Sequence, residues 1–284
     1  MKTIIIGAKG MLGQELKKIF QDWNPICWDQ AEIDIADREN VEKKISETKP
    51  DLIINAAAYT NVDGAEANRD LAMKVNGYGV GNLAEACKKV NAILIHYSTD
   101  YIFDGKKQGG YQEDDQPKNP INAYGESKLL GEKLLQKNTD KYYLIRTSWL
   151  FGKSGKNFVE TMLTLAQKNE IIKVVNDQRG KPTFALDLAK KTRNLVEEKF
   201  PFGVYHISNE GSCTWYEFAK EIFKIVQNQK ARSRNFACEN IKVIPVESKE
   251  FPTSAKRPAW SILINTKLPP ARPWQEAIRE YLKN

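Results

Sequence analysis

Five short runs of β-branched and other apolar residues punctuate the first half of the chain: Thr3–Gly7, Ile26–Asp29, Asp51–Ala57, Ala92–Thr99 and Tyr142–Ser148. Each is nearly continuous in its apolar character rather than alternating. That is the pattern of strands covered on both faces, so it predicts a buried parallel sheet. The stretches between them, Leu12–Phe20, Val41–Lys49, Arg69–Val90 and Tyr124–Gln136, are long enough and polar enough on one face to be crossover helices. Strand and helix in regular alternation predict an α/β fold, a doubly wound parallel sheet.

After Ser148 the order loosens. A helix over Asn157–Lys168, a strand at Ile171–Asn176, a helix over Leu186–Lys199 and a strand at Val204–Ser208 are expected. A helix from Thr214, a strand at Ile241–Val246 and a C-terminal helix from Pro273 follow. The division expected is residues 1–148 as a dinucleotide-binding domain and 149–284 mainly as a smaller C-terminal substrate-binding lobe, with some segments returning to the main sheet. No internal repeat or low-complexity tract is present. The segment Gly105–Ala123 is rich in Gly, Pro and polar residues and has no period, and so long an irregular connection in a compact domain usually serves function.

The chain has 284 residues, 41% of them hydrophobic and 28% charged, which suits an ordinary globular protein large enough for a substantial core. Its formal charge of +7 is scattered along the sequence rather than gathered into a stripe, and no nucleic-acid reader motif is found. Nucleic acid is therefore not an expected partner, whereas a phosphorylated small molecule is compatible with the charge. Cys27, Cys87, Cys213 and Cys238 show no C-x-x-C spacing, and His96 and His206 are the only histidines. Neither a disulfide framework nor a metal site is expected, and the thiols are read as free. The N-terminal apolar run meets Gly7 too soon for a signal peptide or a membrane span, so a cytoplasmic protein with no membrane association is expected.

The first strand ends in Gly7-Ala8-Lys9-Gly10-Met11-Leu12-Gly13, a G-x-x-G-x-x-G turn that enters a helix. Glycine permits the tight turn and the close approach of a diphosphate, whose charge then sits at the helix N-terminus. Asp29 closes the second strand at the distance expected of the carboxylate that receives the adenosine ribose hydroxyls. Strand, turn, helix and acid together point to a nicotinamide dinucleotide. Asp29 favours NADH, while Lys9 in the turn favours the 2′-phosphorylated NADPH, so both cofactors stay open.

Tyr124-Gly-Glu-Ser-Lys128 opens a predicted helix. Residues four apart share a helical face, so the phenol and the ammonium point into one space. A nearby cation is expected to lower the tyrosine pKa toward the working pH and to make the phenol a usable proton donor to a carbonyl oxygen. The preceding strand ends in Tyr97-Ser98-Thr99-Asp100, which supplies a hydroxyl to the same region.

Together these residues resemble the extended short-chain dehydrogenase/reductase family, in which a Ser or Thr after the fourth strand joins the Tyr and Lys on a Rossmann-type sheet. Further stretches are similar to one branch, the dTDP-4-dehydrorhamnose reductases: Asn55-Ala-Ala-Ala-Tyr-Thr-Asn-Val-Asp63, Ser98-Thr-Asp-Tyr-Ile-Phe-Asp-Gly105, Arg146-Thr-Ser-Trp-Leu-Phe-Gly152, Asn157-Phe-Val, Asp177-Gln-Arg-Gly-Lys-Pro-Thr183 and Ala255-Lys-Arg-Pro258. The resemblance spans nearly the whole chain. It implies reduction of dTDP-4-dehydro-L-rhamnose, a dTDP-4-keto-6-deoxy sugar, to dTDP-L-rhamnose with NADPH or NADH, and a catalytic set of Thr99, Tyr124 and Lys128. Beside Gly7 and Gly13 of the turn, it implies cofactor contacts at Gly10, Met11, Leu12, Asp29, Asp34, Ile35, Ala58, Tyr59 and Thr60, shared with Tyr124 and Lys128. Substrate contacts would fall to Thr99, Asp100, Trp149 and Asn157, with Arg257 a candidate partner of the diphosphate.

The pattern departs from some relatives at one place. Magnesium-linked dimers in this family use a glutamate at the position of Glu15 and a second one where this chain has Leu186. A metal-bridged dimer is therefore not expected, and a monomer or weak homodimer is. Two other functions share the fold. A nucleotide-sugar dehydratase or epimerase keeps the Tyr/Lys pair, but dehydration uses an Asp-Glu pair where Asp100 is followed here by Tyr101. A non-catalytic, reductase-like regulatory subunit is disfavoured by the intact Thr/Tyr/Lys set.

Overall fold

The computed structural model describes residues 1–230 and 241–283, so Cys238 lies outside the described residues. The first half runs β1 (Thr3–Ile6), α1 (Met11–Ile19), β2 (Ile26–Trp28), α2 (Arg38–Thr48), β3 (Leu52–Asn55), α3 (Val62–Ala67), α4 (Arg69–Ala72), α5 (Gly79–Val90), β4 (Ile93–Thr99), α6 (Ala123–Asn138) and β5 (Tyr142–Thr147). The second half follows as β6 (Leu150–Phe151), α7 (Phe158–Ala166), β7 (Ile171–Val175), β8 (Arg179–Gly180), β9 (Thr183–Phe184) and α8 (Ala185–Glu197). It ends with β10 (Gly203–His206), β11 (Cys213–Thr214), α9 (Trp215–Lys230), β12 (Lys242–Val246) and α10 (Trp274–Lys283).

Six strands form one sheet in the order β10-β5-β4-β3-β1-β2, every pair parallel. Alternate residues of each strand point to opposite faces, and both faces are dry: Ile4 and Ile6 join the α2/α5 side, while Ile5 joins the α1/α8 side. This is why the strands read as continuous apolar runs. The chain order reverses between β1 and β3, which opens a crevice at the carboxyl ends of the strands. A second apolar core gathers Phe151, Phe184, Phe218, Trp274 and Tyr281 with α7, α9 and α10 above that end.

The long helix read from Arg69 to Val90 is interrupted. Met73–Tyr78 is a π-helical turn between α4 and α5. The interruption lets this segment press on α6: a Cβ on Gly131 would lie 2.2 Å from the Asn76 carbonyl oxygen, and one on Gly77 would lie 2.5 Å from Leu130 Cδ2. Helix α3 went unread because six residues are too few to show a period. The aperiodic segment after Gly105 is laced to the late chain, with the Tyr111 N–H donating to the Ile262 carbonyl at 2.8 Å and Ile264 N–H to Tyr111 at 2.7 Å.

A buried ion pair ties α6 to β5. Arg146 reaches Glu132 through Nε at 3.1 Å and Nη2 at 2.8 Å, with both side chains at most 3% exposed. Removing one partner strands a charge in a dry interior, so Glu132→Ala is expected to cost about 3–5 kcal/mol of stability. Urea unfolding at neutral pH measures it.

Candidate active site

The crevice is built from the ends of β1, β3, β4 and β5. Gly7 has φ +78°, and a Cβ there would lie 2.7 Å from the Ala57 N. Gly13 fits because a Cβ would lie 2.0 Å from the Gly7 carbonyl oxygen, so α1 starts hard against the turn. The N-cap of α1 is Gly10, which offers no side-chain cap, so the first N–H groups of the helix are left for a ligand. Asp29 stands beside the turn and accepts from the Lys9 N–H at 3.1 Å.

Helix α6 brings the phenol and the lysine to the crevice floor. Its N-cap Asn122 accepts from the Gly125 N–H at 2.7 Å, and the absence of a side chain at Gly125 allows the helix to meet the Tyr101 carbonyl. Tyr124 and Thr99 both line the crevice. Thr99 Oγ1 donates to Asp100 Oδ1 at 2.9 Å and accepts from the Tyr101 N–H at 3.2 Å. Lys128, only 3% exposed, donates through Nζ to the Tyr97 carbonyl at 2.6 Å.

Electrostatics here run against the expectation that the lysine lowers the phenol. Burial, reinforced by the Asp100 charge, pushes Tyr124 up to about 12, against a smaller opposing effect from the Thr99 hydrogen bond. Lys128 points to the strand carbonyl rather than to the phenol and is itself pushed down to about 8 by burial. Burial raises Asp100 to about 6, against the hydrogen bonds of Ser261 and Thr99. The phenol is thus fully protonated at neutral pH, the form a proton donor requires.

A cavity of about 570 Å³ collects Gly10, Met11, Leu12, Ala58, Thr60, Thr99, Asp100, Tyr124, Lys128 and Trp149 from the sequence-derived set. Ser98 Oγ and Thr147 Oγ1 are buried without a hydrogen-bond partner; both residues line this cavity. Unpartnered hydroxyls beside an uncapped helix start fit a dinucleotide, whose ribose and phosphate oxygens need such groups.

The family model described as RmlD substrate binding domain matches residues 1–284. A dTDP-4-dehydrorhamnose reductase of Aggregatibacter actinomycetemcomitans is 40% identical over 292 residues, covering 98% of this chain and 97% of the relative. The chain belongs to the dTDP-4-dehydrorhamnose reductase family. The crystal structure of such a reductase from Clostridium acetobutylicum superimposes with TM-score 0.92 at 40% identity, covering 100% of this chain and 99% of that one. One from Bacillus anthracis, solved in complex with NADP, gives TM-score 0.92 at 38% identity, covering 100% and 99%.

Not every residue singled out in this reductase reaches the cavity. Asp34 is exposed and its carboxylate accepts from the Ala36 N–H at 2.9 Å, while Ile35 is buried against the position of Gly79. Tyr59 is held away by Asn76, which accepts from its N–H at 2.8 Å and donates to its carbonyl at 2.9 Å. Asn157 caps α7, its Oδ1 accepting from the Glu160 N–H at 3.1 Å and its Nδ2 donating to the Gly152 carbonyl at 2.9 Å. Its amide is therefore engaged by the backbone. Arg257 lies in a bidentate pair with Asp63, at 2.9 and 2.6 Å.

Arg257 lines a second cavity, of about 640 Å³, with Phe158, Trp215, Lys249 and Lys256. The two cavities meet at a stacked pair: Trp149 and Trp215 lie 3.5 Å apart at 6°. Trp149 takes φ +46°, and its indole fits because a Cβ at Gly180 would lie 2.5 Å from the ring. Glu15 is buried and paired with Lys18 at 2.9 Å, next to α8. Among the described residues no helix is long and apolar enough to cross a membrane.

Reading by motif missed Asn76, Ser98 and Thr147. Asn76 sits in the π turn and donates also to Ser127 Oγ at 3.0 Å, so it fastens the loop after β3 to the catalytic-helix candidate. Asn76→Ala leaves the Tyr59 N–H unsatisfied and is expected to cost about 1–3 kcal/mol. Thermal unfolding checks the loss, and NADPH titration by fluorescence should show weaker binding as the loop loosens.

Proposed function

We propose that this crevice reduces the 4-keto group of dTDP-4-dehydro-L-rhamnose to give dTDP-L-rhamnose, with Thr99, Tyr124 and Lys128 as the catalytic residues. The protein is an NAD(P)H-dependent oxidoreductase. A nicotinamide held in this crevice would supply the hydride for the carbonyl carbon. Tyr124 donates its proton to the carbonyl oxygen, and Thr99, once its hydroxyl turns from Asp100, polarises the same oxygen. Lys128 holds the cofactor side of the crevice.

The observation that carries this reading is Tyr124, protonated at neutral pH, in one cavity with Thr99 and with Lys128 one turn further on. Gly7 to Gly13 and the open start of α1 would cradle the diphosphate, with Ala58 and Thr60 along the opposite wall and Asp29 toward the adenosine ribose. Either NADH or NADPH suits this arrangement, because Asp29 is engaged by the Lys9 N–H and not committed to ribose alone. Residues 1–148 would then serve the dinucleotide and 149–284 mainly the sugar nucleotide, with α8 packed on the large sheet and β10 joining it. Trp149 and Asp100 would face the sugar. The dTDP end would lie in the second cavity, where Phe158 and Trp215 offer rings to a base and Lys256 offers charge to phosphates, Arg257 being held by Asp63. Asn157 would act through the shape of the α7 start. Ile35 and Tyr59 would shape the adenosine pocket by packing, and Asp34 by fixing the turn at Ala36. A soluble cytoplasmic monomer or weak homodimer, without nucleic acid or membrane as partner, completes the proposal.

The dehydratase reading would need an acid following Asp100. Tyr101 occupies that position, its hydroxyl buried and near Arg257. Reduction without elimination is favoured.

Purified protein should consume NADH or NADPH only when the dTDP-4-keto-6-deoxy sugar is supplied; absence of turnover with both cofactors would remove the assignment and favour a regulatory subunit. Tyr124→Phe removes the proton donor and is expected to lower kcat by about 10²–10⁴ with cofactor binding little changed. Lys128→Met should lower both kcat and cofactor affinity. Steady-state kinetics beside cofactor titration separates the two variants, and near-native turnover in Tyr124→Phe would defeat the mechanism.

A further inference from the structure

His96 stands on β4 with its ring buried, and the reaction above makes no use of it. Its Nδ1 lies 3.1 Å from Asn55 Nδ2, and its Nε2 lies 3.4 Å from Lys128 Nζ. Which ring nitrogen holds the proton follows from the far side of Asn55. The Ala57 N–H donates to Asn55 Oδ1 at 3.1 Å, so the amide oxygen is turned to that donor and the NH₂ to the ring. Nδ1 must therefore accept. A neutral imidazole then carries its proton on Nε2, directed at the lysine.

An ammonium has no lone pair to meet that N–H, whereas an amine has one and still donates to the Tyr97 carbonyl. We propose that Asn55 and His96 lock a tautomer that favours the uncharged amine of Lys128, making His96 a positioning residue that sets where this lysine titrates. The proposal rests on the reductase reading only in taking Lys128 as functional.

The other groups around the lysine are few. Glu132, one turn further along α6, favours the ammonium but is engaged by Arg146 from β5. Asp100 and Thr99, at the end of β4, act on Tyr124. Burial works in the same direction as the ring, and Lys128 falls to about 8. Burial and the Lys128 charge hold His96 well below its usual range, so the ring stays neutral.

His206 supplies an internal contrast. Its Nδ1 is 3.0 Å from the Ile264 carbonyl and must donate, leaving Nε2 to accept from Arg146 Nη1 at 3.3 Å. The two histidines of the chain are thus expected in opposite tautomers.

Full-length protein labelled with ¹⁵N in histidine reads both rings at once in long-range ¹H–¹⁵N correlation spectra, and His96→Gln assigns the pattern that disappears. At pH 7 the expected result is Nε2–H for His96 and Nδ1–H for His206. An Nδ1–H or doubly protonated His96 would overturn the proposal whether or not the protein turns over its substrate. The second arm is the alkaline limb of kcat/KM, expected near 8 in the native enzyme. Asn55→Asp presents a carboxylate to Nδ1–H and turns the Nε2 lone pair toward Lys128; the limb should rise by about one unit or more, with the tautomer reversed. His96→Gln, offering its amide oxygen to the ammonium, should raise the limb as well and serves if Asn55→Asp does not fold. A folded variant whose limb stays near the native value would refute the tautomer lock, while failure of every form to turn over would count against the reductase reading and leave the spectra to decide the tautomer.

Discussion

Helix α6 approaches its neighbours at backbone distance, and the site depends on that approach. A Cβ on Gly125 would lie 2.2 Å from the Tyr101 carbonyl oxygen, and one on Gly131 the same distance from that of Asn76. No side chain is compatible with either contact without moving the helix. Between these two glycines lie Ser127, which bonds Asn76, and Lys128, which bonds the strand carbonyl of Tyr97. Tyr124 just precedes them and shares a cavity with Thr99. Glu132, immediately after Gly131, fixes the next turn through Arg146. The helix is thus held from three directions over a few residues, and the phenol and ammonium inherit that rigidity.

The strand pattern was legible because each main-sheet strand is covered on both faces. β1 to β5 therefore appear as apolar runs bounded by glycine or polar residues, within a residue or two of their observed ends. The glycine turn and the Tyr/Lys pair were legible for a related reason: each is a local spacing on one element. What sequence did not reveal depends on partners far away along the chain. Arg257 looks free in its proline-rich setting, yet its carboxylate partner Asp63 lies 194 residues earlier. Asn76 looks like an ordinary helical polar residue until the π turn rotates it toward Tyr59 and Ser127. The lowered phenol pKa expected from a lysine four residues on did not appear, because helical spacing places the two groups on one face without saying where the ammonium points. A strand carbonyl takes it instead.

Seating the site in a dry interior has an electrostatic cost that the fold meets with geometry more than with countercharge. Tyr124, Lys128, Asp100 and His96 are all shifted toward their uncharged forms by burial. Uncharged groups are the ones such a place tolerates, and a neutral phenol is also the form able to give up a proton. The proposed chemistry and the desolvation thus ask for the same protonation state at Tyr124.

The late segment that laces the crevice bears on how the protein is made. Asn122, the cap of α6, donates to the Lys256 carbonyl across 134 residues, and Glu113 receives the Thr266 N–H across 153. During synthesis from the N-terminus, the strands β1 to β5 and the helices between them exist well before these partners do. The nascent polypeptide can assemble its large sheet on the ribosome, but the cap region of α6 and the loop after Gly105 stay untied until residues 255–266 have emerged. The cap of α6 and the loop after Gly105 therefore gain their long-range partners only after the strands β1 to β5 have been made.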